Sequence, residues 1–180
     1  MAFIDFAYLV DRFGAVEIKQ LFNDRVTITA ADVQAKADAD PSNPPSDPAA
    51  ATRLKGIVDG FIEDGQSEAN GYLSGRFSTT LPFTDATAPR SLRIKLAHIV
   101  RYYMYENSPT SVVRENYQLA IQWFRDVASG RVQIGLDTSG EIMEPDKRAD
   151  FRPITDFELE LDEDRRVFTD ESLGRFLDPT

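Results

Sequence analysis

Four carboxylates on one predicted helix are the densest set of groups here that could do chemistry. Asp59, Glu63, Asp64 and Glu68 follow one another at spacings of four, one and four residues, close enough to offer several oxygens to a hard divalent cation. Such sites normally collect ligands from a loop or from several elements, so a solvated helical face is the simpler reading of the same four residues. The chain's one histidine, His98, falls mid-helix beside an apolar stripe. It reads as a structural side chain, because a catalytic imidazole needs an orienting partner and a two-histidine metal site needs a second histidine. With no cysteine there is no thiolate nucleophile, no zinc–thiolate site and no disulfide framework. A phosphate-binding glycine loop and a nucleophile elbow are also missing from the sequence. Cofactor, catalytic and metal residues are therefore all expected to be none.

The elements that would position these groups are helical. In "DFAYLVDRFG" the residues Phe6, Leu9, Val10 and Phe13 share one helical face; Asp5 can cap its start and Gly14 can end it in the left-handed conformation. "AVEIKQLFND" suits a second short helix stopped at Asn23-Asp24, and "TAADVQAKADA" a third capped by Thr29. "DPSNPPSDP", residues 40–48, holds four of the 10 prolines and is expected to be an exposed insertion.

The longest periodic segment follows, with Leu54, Ile57, Val58, Phe61, Ile62, Ala69, Tyr72, Leu73 and Phe77 at 3.6-residue spacing. Gly56, Gly60, Gly65 and Gly71 each weaken that helix by about 1 kcal/mol relative to alanine, which implies that packing holds it, with close approach of a neighbour. Residues 89–106 and 109–130 complete the set, the second with Pro109 near its first turn and Gly130 as its stop. Tyr102, Tyr103, Tyr105, Trp123 and Phe124 form an aromatic-rich patch across these two helices. Most of it reads as core, and any surplus as contact with another subunit. After residue 136 helical periodicity stops. Phe157, Leu159 and Leu161 alternate with Glu158 and Glu160 in the pattern of a half-buried strand.

The expected architecture is all-α: a small bundle of about five helices over residues 1–136, with an extended acidic C-terminal arm, 137–180, containing a short β-strand. Charge divides the same way. Residues 137–180 hold 14 Asp+Glu against 6 Lys+Arg, a net of −8, whereas residues 1–136 hold 16 against 14, a net of −2. That anionic field disfavours stable non-specific binding to nucleic acid. No apolar run approaches the roughly 20 residues that cross a bilayer, and the N-terminus lacks the basic start of a signal peptide. The arm nevertheless carries apolar groups: Phe157, Leu159, Leu161, Val167, Phe168, Leu173, Phe176 and Leu177. They are the candidate partner- and oligomer-docking residues, the strand by adding to a sheet edge and the aromatics by filling pockets.

"GYLSGRFSTTLPF" at 71–83, "RIKLAHIVRYYMYEN" at 93–107 and "VVRENYQLAIQWFRDVASGRVQIGLD" at 112–137 stand in the order and spacing of a phage and prophage family. With "DFAYLVDRFG" at the start and "RRVFTDESLGRF" near the end, the chain resembles the Mu-like head–tail connector (head completion or adaptor) proteins, long catalogued as a domain of unknown function. It departs from their pattern in the proline-rich insertion 40–48 and in the length of the acidic segment 137–164. The resemblance implies a non-enzymatic ring homo-oligomer, typically a dodecamer, at the virion neck. The ring would sit below the portal protein and dock the next neck or tail protein, a stopper or tail terminator, after assembly in the host cytoplasm. DNA would pass through its channel without sequence-specific binding, and no membrane would be involved. Two other readings stand beside it. One is a small metal-dependent enzyme using Asp59, Glu63, Asp64 and Glu68; the other is a regulatory protein that sequesters a cationic partner with its acidic tail.

Overall fold

The computed structural model describes residues 3–77, 88–106 and 108–134. Among them the chain is all-helical, with six helices where the sequence suggests about five: α1 (Phe6–Phe13), α2 (Ala15–Leu21), α3 (Ala30–Asp38), α4 (Pro48–Leu73), α5 (Arg90–Met104) and α6 (Ser111–Ala128). The division between the predicted domain and the C-terminal arm, the arm's strand, and all eight candidate docking residues from Phe157 to Leu177 lie outside the described residues.

Local chemistry sets the helix ends. Asp5 accepts the Tyr8 amide at 2.8 Å and opens α1. Gly14 ends it at φ 89, ψ 143, so the residue is not in the left-handed helical region that the sequence suggests. Its positive φ with extended ψ turns the chain directly into α2, for which the same glycine is the N-cap. Thr29 caps α3 as expected. The start of α4 comes within the proline-rich segment, since Asp47 accepts the Ala50 amide at 2.9 Å and Pro48 occupies the first helical turn. At its other end α4 stops at Leu73, and Phe77 is buried from beyond the helix. Pro109 precedes the cap of α6 rather than entering the helix; Thr110 is the capping residue and Gly130, at φ 81, follows the last turn.

The 26-residue α4 is the spine, about 39 Å long at 1.5 Å per residue. Along it α5 and α6 pack as a three-helix unit, while α1, α2 and α3 pack on one another and join that unit through α1 and α3. Leu54, Val58, Ile62, Ala69 and Leu73 of α4 meet Leu92, Leu96, Ile99 and Val100 of α5 and Ile121, Phe124 and Val127 of α6. Each fully buried aliphatic side chain contributes roughly 1.5–3 kcal/mol. The close approach implied by the glycines occurs at one of them. A Cβ on Gly65 would stand 2.8 Å from Val100 Cγ2, whereas Gly56, Gly60 and Gly71 face open space. No helix among the described residues is long and apolar enough to cross a membrane.

The proline-rich loop is exposed but tethered. Asp32, a buried carboxylate on α3, accepts the Ser46 amide at 2.5 Å and the Ser46 hydroxyl at 2.8 Å, and it also accepts the Thr29 hydroxyl at 2.6 Å. These bonds, the Thr29 hydroxyl first, hold its carboxyl at about 2, below the usual carboxylate range. The loop therefore leaves α3 and returns to α4 from a fixed point.

Candidate docking surfaces and their chemistry

The four α4 carboxylates do not converge. Asp59 pairs with Lys55 one turn earlier, Glu63 and Asp64 are exposed, and Glu68 faces inward. Among the described residues no three acidic or histidine side chains are placed to share a metal ion. The metal-dependent reading is thereby corrected at its only proposed site: the four residues follow the helix around instead of closing on a point.

Glu68 instead ties three helices together. Its Oε2 accepts the Tyr103 hydroxyl of α5 at 2.6 Å, and its Oε1 accepts the Tyr117 hydroxyl of α6 at 3.3 Å. Tyr117 stacks on Tyr102 at a centroid distance of 4.1 Å and an interplanar angle of 16°. Burial first, then the Glu68 carboxylate, pushes the Tyr117 phenol up to about 12 and that of Tyr103 higher still. A shallow cleft of about 370 Å³, lined by Phe61, Asp64, Ser67 and Tyr103, opens beside this clamp.

The aromatic patch is thus largely consumed inside the molecule. Trp123 sets its edge against buried Phe124 at 5.2 Å and 81°, and Tyr105 donates to Glu17 on α2. What remains outward among the described residues is small: Val112 and Leu119, seven residues apart on one face of α6, and Val16 on α2.

His98 is half-buried, 6.0 Å from the Phe13 ring, with its Nδ1 lacking a hydrogen-bond partner among the described residues. Burial first, then the positive charges of Arg12, Lys95 and Arg101, hold its pKa down to about 4. The imidazole is neutral at physiological pH, as a structural side chain should be. Arg101 lies over the Phe13 ring at 4.7 Å and forks onto Glu17 at 2.7 and 2.9 Å, which fastens α5 to the N-terminal helices.

One feature was not anticipated from the sequence. A cleft of about 490 Å³ is lined by Tyr8, Asp11 and Arg12 of α1 together with Ala88, Arg90 and Arg93 at the start of α5. Among the described residues its lining holds three guanidinium groups and one carboxylate. The signal was available in composition: α5 carries Arg90, Arg93, Lys95 and Arg101 and no acidic residue, in a chain whose net charge is −10.

The family described as "Bacteriophage Mu, Gp36" matches residues 4–152, which includes every described helix. The chain belongs to that family. The curated relatives it matches include the Mu-like prophage FluMu protein gp36 of Haemophilus influenzae, 32% identical over 88 residues. Another is gene product J of Escherichia phage Mu, 25% identical over 82 residues. The two matches cover 49% and 46% of this chain, and 60% and 55% of the relatives themselves. Membership confirms the resemblance to Mu-like phage proteins carried by residues 71–83, 93–107 and 112–137.

Proposed function

We propose that the chain is a structural or assembly protein of a Mu-like tailed phage, acting as a non-enzymatic adaptor between head and tail. The family match over residues 4–152 carries this reading. The structure supports it in kind. Among the described residues Glu68 with two tyrosines and Glu17 with Arg101 hold helices to one another, which suits a part that must keep its shape under assembly. In the finer reading copies assemble as a ring, a dodecamer, below the portal protein, and the ring presents a platform to the next neck or tail protein. The net charge of −10 suits a conduit that lets DNA pass without retaining it, since a surface poor in cations gains nothing from counterion release. The C-terminal arm, with Phe157, Leu159, Leu161, Val167, Phe168, Leu173, Phe176 and Leu177, fastens a copy to its neighbour or to the next component.

Two measurements test the reading. Native mass spectrometry of the full chain, alone and mixed with purified portal rings, is expected to give a closed oligomer at least on the ring template. A chain that stays monomeric in both would defeat the ring. Phage assembled with a variant lacking residues 165–180 should show heads without attached tails by electron microscopy. Normal particles would remove the arm from the docking role.

A further inference from the structure

The cleft between α1 and α5 answers the charge of the C-terminal segment. Arg12, Arg90 and Arg93 line it, and among the described residues Arg12 and Arg90 have no ion-pair partner. Arg93 donates its Nε–H to the Ala88 carbonyl at 3.2 Å, which holds its guanidinium in place at the wall. The half-buried Tyr8 lines it as well, and Ala88, itself buried, contributes the carbonyl that holds Arg93.

The sequence "DFELELDED", residues 156–164, has the opposite character. It holds six carboxylates and no cation, alternating at first with Phe157, Leu159 and Leu161. Arginine forks pair bidentately with carboxylates, and clusters of arginine are a common receptor for acidic extended peptides. We propose that the Arg12–Arg90–Arg93 cleft receives residues 156–164 of a neighbouring copy. The inference rests on the reading of the chain as a self-assembling adaptor and names the contact that closes the assembly.

Surface pairing and reach both allow a neighbour as the donor, and the self-assembling reading selects it. The cleft and the acidic segment are different surfaces of one chain, and pairing of unlike surfaces is the arrangement that generates rings. Ser91 donates its hydroxyl to the Ile134 carbonyl, so the chain leaves the described body beside the start of α5. The segment from there to Asp156 is about 22 residues, which can span up to roughly 70 Å. That is several times the radius of gyration, about 14 Å, of a body this size. Nucleic-acid phosphate is the other anion with matching chemistry, but Asp11 within the cleft and the chain's net charge of −10 oppose it.

The chain's lack of cysteine makes the test direct. Full-length Asp11→Cys and Glu158→Cys proteins, mixed and oxidised, should yield disulfide-linked heterodimers well above the homodimer background. The double variant, oxidised when dilute, should not close within one chain. Intramolecular closure without heterodimers would overturn the assignment to a neighbour, and no specific disulfide of either kind would overturn the cleft as receptor. In a second arm, Arg12→Glu with Arg90→Glu should weaken self-association by roughly tenfold or more, and combining it with Glu158→Lys and Glu160→Lys should restore most of the loss. Association should also weaken with salt. Unchanged, salt-insensitive association of the Arg12→Glu/Arg90→Glu protein would overturn the proposal, as would duplex DNA binding that needs these arginines while no heterodimer forms. If oligomers persist while the disulfides fail, the cleft is wrong and the adaptor reading stands. If no oligomer forms alone or on portal rings, both fall.

Discussion

The body carries two charged corners built on opposite terms. At one, Glu68 lies between helices and is answered by two tyrosine hydroxyls, from α5 at 2.6 Å and from α6 at 3.3 Å. At the other, three arginines stand around an open cleft of about 490 Å³ with a single carboxylate, Asp11, among its described lining residues. The first arrangement is complete within one chain and acts on stability. The second leaves Arg12 and Arg90 without an ion-pair partner among the described residues, so its charge is directed at something else. Charge at the clamp should therefore be costly to remove from the monomer, and charge at the cleft nearly free.

Breaking the clamp should have the largest effect. Glu68→Ala strips the acceptor from two half-buried phenols at once; a hydrogen bond to a charged group contributes about 1.5–3 kcal/mol net of water, and the longer 3.3 Å bond to Tyr117 contributes less than the 2.6 Å bond to Tyr103. A loss of about 2–3 kcal/mol is expected in urea unfolding, with little change in slope. The clamp also has a pH signature. The Tyr103 and Tyr117 pKa values are raised by folding, so their contribution is complete below the ordinary tyrosine value near 10 and is lost as pH rises through about 12. In Glu68→Ala the phenolate absorbance should appear closer to pH 10. A titration that does not move would mean that burial alone, not the carboxylate, protects these rings.

His98 feels the charge of Arg12, which lines the positive corner, and so reports on that corner. Its folded pKa is about 4 against an unfolded value of 6.5, so the unfolded chain takes up a proton that the folded chain refuses. Stability contributed by the neutral ring is whole above pH 6.5 and declines as pH falls from there toward 4. The loss should be roughly 1–2 kcal/mol once solvent screening at this half-exposed site is allowed for. His98→Gln should flatten the thermal midpoint between pH 6.5 and 4. Lys95→Gln should flatten it in part, because Lys95 is one of the three cations that oppose protonation.

The two corners were unequally legible in the sequence. Helix periodicity exposed α4, α5 and α6, and capping chemistry at Asp5 and Thr29 marked two starts correctly. The turn at Gly14 was foreseen as a break but not in its conformation, because a sequence gives the need for positive φ and leaves ψ to the packing of α2. Pro48 was read as loop; as a first-turn residue behind the Asp47 cap it starts a helix, and proline identity alone does not separate the two. Glu68 looked like one of four equivalent surface acids, since its distinction comes from Tyr103 and Tyr117, 35 and 49 residues away. The arginine cleft likewise joins α1 to α5, bringing Arg12 and Arg90 together from nearly half the chain apart. Only the run of basic residues without an acid on α5 hinted at it. Asp32 was invisible for the same reason: its value lies in Ser46, 14 residues on.

The glycines of α4 permit a sharper contrast inside one helix. Gly60 faces open space, so Gly60→Ala should stabilise by about 0.5–1 kcal/mol through helix propensity and a less flexible unfolded chain. At Gly65 the same methyl would meet Val100 Cγ2 at 2.8 Å, on a β-branched side chain that cannot swing away cheaply. Overpacking there costs roughly 1–3 kcal/mol, which outweighs the propensity gain and leaves a net loss of about 1 kcal/mol. Thermal midpoints moving in opposite directions would establish that α4 and α5 touch at Gly65. Equal gains would mean that α5 gives way.

The smallest expected effect is the one that separates the corners most cleanly. Arg90 is exposed, carries no ion pair among the described residues, and lines the cleft without filling it. Arg90→Ala should change monomer stability by no more than about 0.5 kcal/mol, as for surface substitutions away from special contacts. Alanine at this first position of α5 even improves local propensity slightly. The check is urea unfolding at a concentration below any self-association, because an assembled state would add the lost intersubunit contact to the measured difference. A loss approaching that of Glu68→Ala would show that the arginine is already spent within its own chain. The two corners would then be alike, with the positive charge serving the monomer as the Glu68 carboxylate does.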